Sequence, residues 1–249
     1  MVELGILGGS MIYTKKGIVS GSLIDTSTNL SVIGTFQIVE DALTELMGEL
    51  KIDGITAKKL YNAMWVYTKN RIKFFKPLAW GEGYTVESFV SLISLAKINI
   101  DTAIKDNDGN IVAYSKVELC ALDLETGRIR KTATVGVDES IVKENSQIQI
   151  DFTKFAVLEM PKVESVVVRS TNIDFCHHCN NVEYLRFLLN TYSVAELENN
   201  PIKEFEICYA NQSFEGDTLD IFKMQNQDKD ILIIQKEDKV IIKCEILRV

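Results

Sequence analysis

The chain has 249 residues, is 46% hydrophobic and 25% charged, and carries a net charge of −8, so it reads as a packed globular protein of one large domain or two of roughly 120 residues. The acidic balance argues against a nucleic-acid binder, because phosphate contacts need a basic surface, and no apolar run approaches the roughly 18 residues of a membrane helix. Five cysteines without small-scaffold spacing, and an N-terminus with Glu3 and no basic stretch, point to reduced thiols in the cytoplasm and not to a secreted disulfide framework.

In chain order, Tyr13 to Asp25 alternates loosely and predicts a strand. Gly5 to Ser10 lies before it and is too short to be assigned a phosphate loop. Asn29-Leu-Ser31 then supplies a helix start, and Val32, Phe36, Val39, Leu43, Leu46 and Leu50 follow at helical spacing. Ile33, Ile38, Ala42 and Met47 widen that stripe around most of the helix, which must therefore be wrapped by other structure. A second short helix is predicted over about Thr56 to Trp65. Strands follow at Tyr67–Phe75, Tyr84–Leu95, Lys97–Lys105 and Ile111–Asp123, with turns at Gly81-Glu-Gly83 and Asn107-Asp-Gly-Asn110.

The order then repeats. Val166–Asp174 predicts a strand, and Val182, Leu185, Leu189 and Tyr192 a second buried helix after Asn180-Asn181. Phe205–Tyr209, Leu219–Met224, Ile231–Lys236 and Val240–Leu247 are further strands, with a turn at Glu215-Gly216-Asp217. Ile72 and Ile207 stand at the same distance before Gly81 and Gly216, as a duplicated unit requires. A strand, one buried helix and a run of antiparallel strands are satisfied by a curved sheet wrapped around the helix. The expected fold is α+β, a tandem (double) hot-dog, with modules at 1–139 and 164–249 and a linker at 140–163.

The segment Asn172-Ile-Asp174-Phe-Cys176-His-His178-Cys-Asn180-Asn181-Val-Glu-Tyr184 resembles the signature of the acyl-ACP thioesterases. Trp65 to Ile72 with Lys76-Pro-Leu78, Ala121 to Arg128, and Tyr209 to Asp217 are similar to other parts of that family. The resemblance implies hydrolysis of the thioester between a fatty acyl chain and acyl carrier protein, in fatty acid biosynthesis. It further implies an acyl tunnel in the first module, chemistry in the second, and no cofactor or metal. Where the family has its motif Asn, this chain has Cys176; at the family's Glu and the following Cys stand Gln212 and Ser213.

On chemical grounds Asp174 and His178 are expected to assist attack by water. Backbone amides at the helix start near Asn180 and Asn181 would receive the carbonyl oxygen, although the same asparagines serve equally as helix caps. Cys176 reads either as a thiolate beside His178 or as a small neutral replacement. Gln212 cannot be a general base, and Ser213 has no evident one; Tyr184 completes the expected substrate-binding set. Cys176 and Cys179 have CxxC spacing, but no second pair completes a zinc site. Lys69, Arg71 and Lys73 share one strand face, which would suit an acidic carrier protein or remain a solvated surface. A catalytically altered carrier-binding protein and an acyl-CoA thioesterase are the competing readings, and the chain is expected to be a monomer or homodimer.

Overall fold

The computed structural model describes residues 2–7, 10–142, 148–154, 159–226 and 229–248. It divides into two compact units, Met1–Asp151 and Phe152–Val249.

In the first unit, Ser31 caps α1 (Val32–Glu49) by accepting the Gly34 amide at 2.8 Å. Phe36, Ile38, Val39, Ala42, Leu43, Leu46 and Met47 are its buried apolar side chains, while Asp41 and Thr44 remain exposed. The helix enters so close to the preceding loop that a Cβ on Gly34 would meet the Leu23 carbonyl oxygen at 2.4 Å. The short α2 (Gly54–Tyr61) starts where Asp53 caps the Ile55 and Thr56 amides and stops at Asn62, whose φ of 50° is left-handed. It therefore ends before Trp65. Ala63 already begins a strand, and the Trp65 indole donates to the Ile52 carbonyl at 2.6 Å.

The first unit's strands are β1 (Val2–Leu7), β2 (Ser10–Ile18), β3 (Ala63–Phe74), β4 (Gly83–Ile93), β5 (Ile98–Lys105) and β6 (Ile111–Asp123), paired antiparallel in the order β1-β2-β4-β5-β6-β3. The sequence reading missed β1, which pairs with β2 from Val2↔Lys15 to Leu7↔Ser10. The strand expected to reach Asp25 ends at Ile18, because Ser20, Ser22 and the Asp25 turn bond locally. α1 lies against β4, β2 and β5, and Glu45 on the helix accepts from the Tyr13 hydroxyl and, at 2.6 Å, from Lys15.

The second unit repeats the plan. Its strands are β7 (Lys162–Val167), β8 (Ile202–Tyr209), β9 (Thr218–Gln225), β10 (Lys229–Lys236) and β11 (Lys239–Arg248), in the order β7-β9-β10-β11-β8. Apart from β1, that is the order of the first unit, strand for strand. The helices are α3 (Asn181–Leu189) and α4 (Val194–Asn199). The second was not predicted, although Ser193 and Glu196 form a capping box that could have revealed it. The glycines at the two equivalent turns, Gly81 and Gly216, both have left-handed backbone, with φ of 83° and 85°.

Just beyond the end of α3 the chain is anchored to the sheet by a buried charged group. Asp230 on β10, fully buried, accepts from Tyr192 at 2.7 Å and from Arg248 Nη2 at 3.1 Å. Lys223 donates to the Thr191 carbonyl at 3.0 Å and lies 3.2 Å above the Tyr192 ring; burial pulls its ammonium pKa down. The strand predicted over Val166–Asp174 ends at Val167, and Ser170–Asn172 forms a 3-10 turn. The polar run there bonds to its own backbone instead of continuing a ladder, as when the Arg169 amide donates to Asn172 Oδ1 at 2.8 Å.

Candidate active site

The segment carrying the motif folds as a tight loop held by Asp174. An antiparallel bridge joins Ile173 to Cys179, and the Asp174 amide donates to the His178 carbonyl at 2.9 Å. Asp174 Oδ1 accepts the amides of Cys176 at 2.8 Å and His178 at 3.3 Å. An aspartate is suited to this because its short side chain reaches backbone two to four residues on. His177 takes the left-handed position, with φ of 64°, and is exposed, while His178 is half-buried. Phe175 stands out at 78% exposure.

This loop is fastened to the segment after β8. The Cys179 amide donates to the Ser213 carbonyl at 2.9 Å, and the His178 ring meets the Phe214 ring edge-on at 5.1 Å. Beneath them Tyr184 on α3 shares a hydrogen bond with the Ser213 hydroxyl at 2.8 Å and accepts the Ser213 amide at 3.0 Å. Tyr184 and Ser213 are both buried. Burial pushes the Cys179 thiol up to about 12, with Ser213 and Tyr184 as its hydrogen-bonding neighbours. Burial likewise raises the Tyr184 phenol, so both groups stay neutral at any physiological pH.

The structure therefore gathers Asp174, Cys176, His178, Ser213 and Tyr184 into one locality, but at two depths. His178 and half-buried Cys176 lie on the outer loop, whereas Ser213 and Tyr184 form a clamp inside. Gln212 sits beside Ser213 and is exposed. Asn180 is the α3 N-cap: its Oδ1 accepts the Val182 amide at 3.1 Å and its own amide donates to Asn172 at 2.8 Å. The Glu183 amide donates to the Asn180 carbonyl at 3.0 Å, and Asn181 is the first residue of the helix. The amides at 180, 182 and 183 thus have acceptors within the chain, and α3 contributes mainly its dipole to this locality.

Asn172, Glu183 and Phe214 were not singled out as site residues. Asn172 Nδ2 donates to Glu183 Oε2 at 2.8 Å, and Glu183 Oε1 pairs with Arg186 at 3.0 Å, fixing the loop against α3. Nothing in residue spacing distinguishes Phe214 from any other turn aromatic. Among the described residues no group of three or more His, Cys, Asp or Glu side chains is placed to hold a metal ion, and Cys176 and Cys179 are both free thiols. On the first unit, the Arg71 guanidinium donates to the Asp151 carbonyl, so this member of the basic strand face is occupied within its own unit.

Residues 156–246 match the family model described as the acyl-ACP thioesterase C-terminal domain. The chain is 22% identical over 177 residues to oleoyl-acyl carrier protein thioesterase 1, chloroplastic, from Arabidopsis thaliana, covering 66% of this chain and 49% of that protein. It thus spans about half the length of the curated relatives it matches. A crystal structure of an acyl-ACP thioesterase from Bacteroides thetaiotaomicron superposes with a TM-score of 0.88 at 17% identity, covering 96% of this chain and 98% of that one. The 12:0-ACP thioesterase from Umbellularia californica gives 0.82 at 14% identity, with 98% and 99% covered. The second unit thus matches the acyl-ACP thioesterase C-terminal domain, and the chain as a whole has the double hot-dog fold of the solved acyl-ACP thioesterases.

Proposed function

We propose that the protein is a thioester hydrolase that releases free fatty acid from acyl carrier protein, in the cytoplasm and in the service of fatty acid synthesis. The match of residues 156–246 to the thioesterase family model carries this reading, because that stretch contains the whole Asp174–Tyr184 loop. The first module, residues 1–139, takes the acyl chain and the second, 164–249, does the chemistry.

His178 acts on the attacking water. Among the described residues its ring nitrogens make no hydrogen bond, and its ring is held by Phe214, so a nitrogen is available to accept the water proton. The water oxygen bonds to the thioester carbon, the C–S bond breaks, and the proton passes to the departing phosphopantetheine sulfur. Asp174 orients His178 through the backbone turn it caps. The positive end of α3 at Asn180 and Asn181 stabilises the developing oxyanion by its dipole. Cys176 borders this site; Gln212 is neutral and supplies no base. Tyr184 and Ser213 support the loop from below.

The test is release of free acid from a panel of acyl-ACP and acyl-CoA substrates, followed by mass spectrometry. Acid released preferentially from acyl-ACP is the expected result. Preference for CoA would change the carrier, and binding of acyl-ACP without any turnover would leave a binding protein on this fold.

A further inference from the structure

α2 presents a basic and apolar outer surface that no described residue of its unit covers. Ala57 is the helix's one buried residue; Ile55 and Lys59, four apart, lie on the opposite side. Ile55 is 74% exposed and Leu60 63%, and Lys51, Lys58 and Lys59 are exposed around them. Among the described residues none of these three lysines makes an ion pair or a side-chain hydrogen bond. The helix contains no acidic residue, and the carboxylate at its start, Asp53, is taken up by the Ile55 and Thr56 amides at 2.9 and 3.0 Å. Leu124, 40% exposed, extends the apolar part at the helix's C-terminal end, where its amide donates to the Asn62 carbonyl at 3.0 Å.

Two large apolar side chains held in water among three uncompensated cations, on a chain of net charge −8, are the complement of an acidic helical surface with an apolar ridge. We infer that the α2 face docks the acidic carrier protein that bears the thioester. The inference rests on the thioesterase reading for its choice of partner. Ile55, on the outward face with Lys58 and Lys59 one turn on, supplies burial at the centre of the contact with Leu60 at its flank, and the lysines steer the encounter and weaken with salt.

The experiment measures binding of holo carrier protein, which has no acyl group and needs no turnover, to the full chain at low and high salt by calorimetry. Lys58→Glu/Lys59→Glu is expected to weaken binding about tenfold at low salt and far less at high salt. Ile55→Ser is expected to weaken it at both. Turnover of a small acyl-pantetheine thioester stays unchanged in both variants, which also shows that they fold. Unaltered carrier affinity overturns the inference, as does loss of pantetheine thioester turnover in the variants. So does a face whose substitutions abolish binding to anionic vesicles or self-association and leave carrier binding intact. If α2 variants lose carrier binding while the wild type hydrolyses no thioester at all, docking stands and the hydrolase reading falls.

Discussion

Replacing Tyr184 by Phe tests whether the clamp under the motif loop is structural. The hydroxyl has two contacts with Ser213, one with its side chain at 2.8 Å and one with its amide at 3.0 Å. Ser213 is fully buried, so water cannot replace the lost acceptor. A buried amide left without a partner costs about 1–3 kcal/mol, and each kcal/mol lowers the melting temperature of a chain this size by about 2–4 °C. Ser213→Ala keeps the amide's acceptor and should cost only about 0.5–1.5 kcal/mol. Because the two side chains are in contact, the double variant should lose less than the sum, with a coupling of about 0.5 kcal/mol or more. Urea unfolding of all four proteins gives these values directly. A Tyr184→Phe variant as stable as the wild type, or strictly additive losses, would show that the contact contributes nothing to folding. The same variants separate support from chemistry: a clamp residue changes turnover through the position of His178 and leaves its pH dependence alone.

Three other outcomes follow from the packing. Gly34→Ala should destabilise the first unit by about 1–3 kcal/mol in thermal unfolding despite alanine's better helix propensity, because the new Cβ would meet the Leu23 carbonyl. Asp230→Asn should cost about 3–5 kcal/mol, since it removes the buried carboxylate that pairs with the Arg248 guanidinium at 2.8 Å and accepts from Tyr192; Asp230→Asn at wild-type stability would contradict that. The Cys179 thiol, raised from 9.0 to about 12 by burial, stabilises the fold fully below pH 9 and loses that contribution as pH rises towards 12. Cys179→Ala should therefore flatten the alkaline limb of the stability profile, and thiol titration of the native protein near neutral pH should leave Cys179 unmodified.

The duplication was legible because it is written in long-range order: two buried helices, each before four strands, with Gly81 and Gly216 at matching turns. Both turn glycines have the left-handed backbone that only such residues adopt easily. α1 and β6 were read almost to the residue, since Ser31 caps one and the Asp106–Asn110 turn opens the other. Boundaries failed where side chains bond to their own backbone. Asp53 and Asn62 fix α2 earlier than its apolar pattern suggests, and Asn172 and Asp174 stop β7 in favour of turns. The motif's location was readable, but the depth of its members was not. Ser213 looks like an approachable hydroxyl in a string of letters, and only the approach of Tyr184 from α3 shows it buried. The capping of Asn180 was one of two readings from sequence, and the acceptors already held by the amides around it could be seen only in three dimensions.

The central claim, that His178 handles the proton of the attacking water, is tested most directly by acyl-ACP hydrolysis with His178→Ala beside His177→Ala. Loss of about 10²–10⁴-fold in kcat for His178→Ala alone is the predicted result, given what a positioned general base contributes. Equal activity in the two variants, or full activity in His178→Ala, would contradict it.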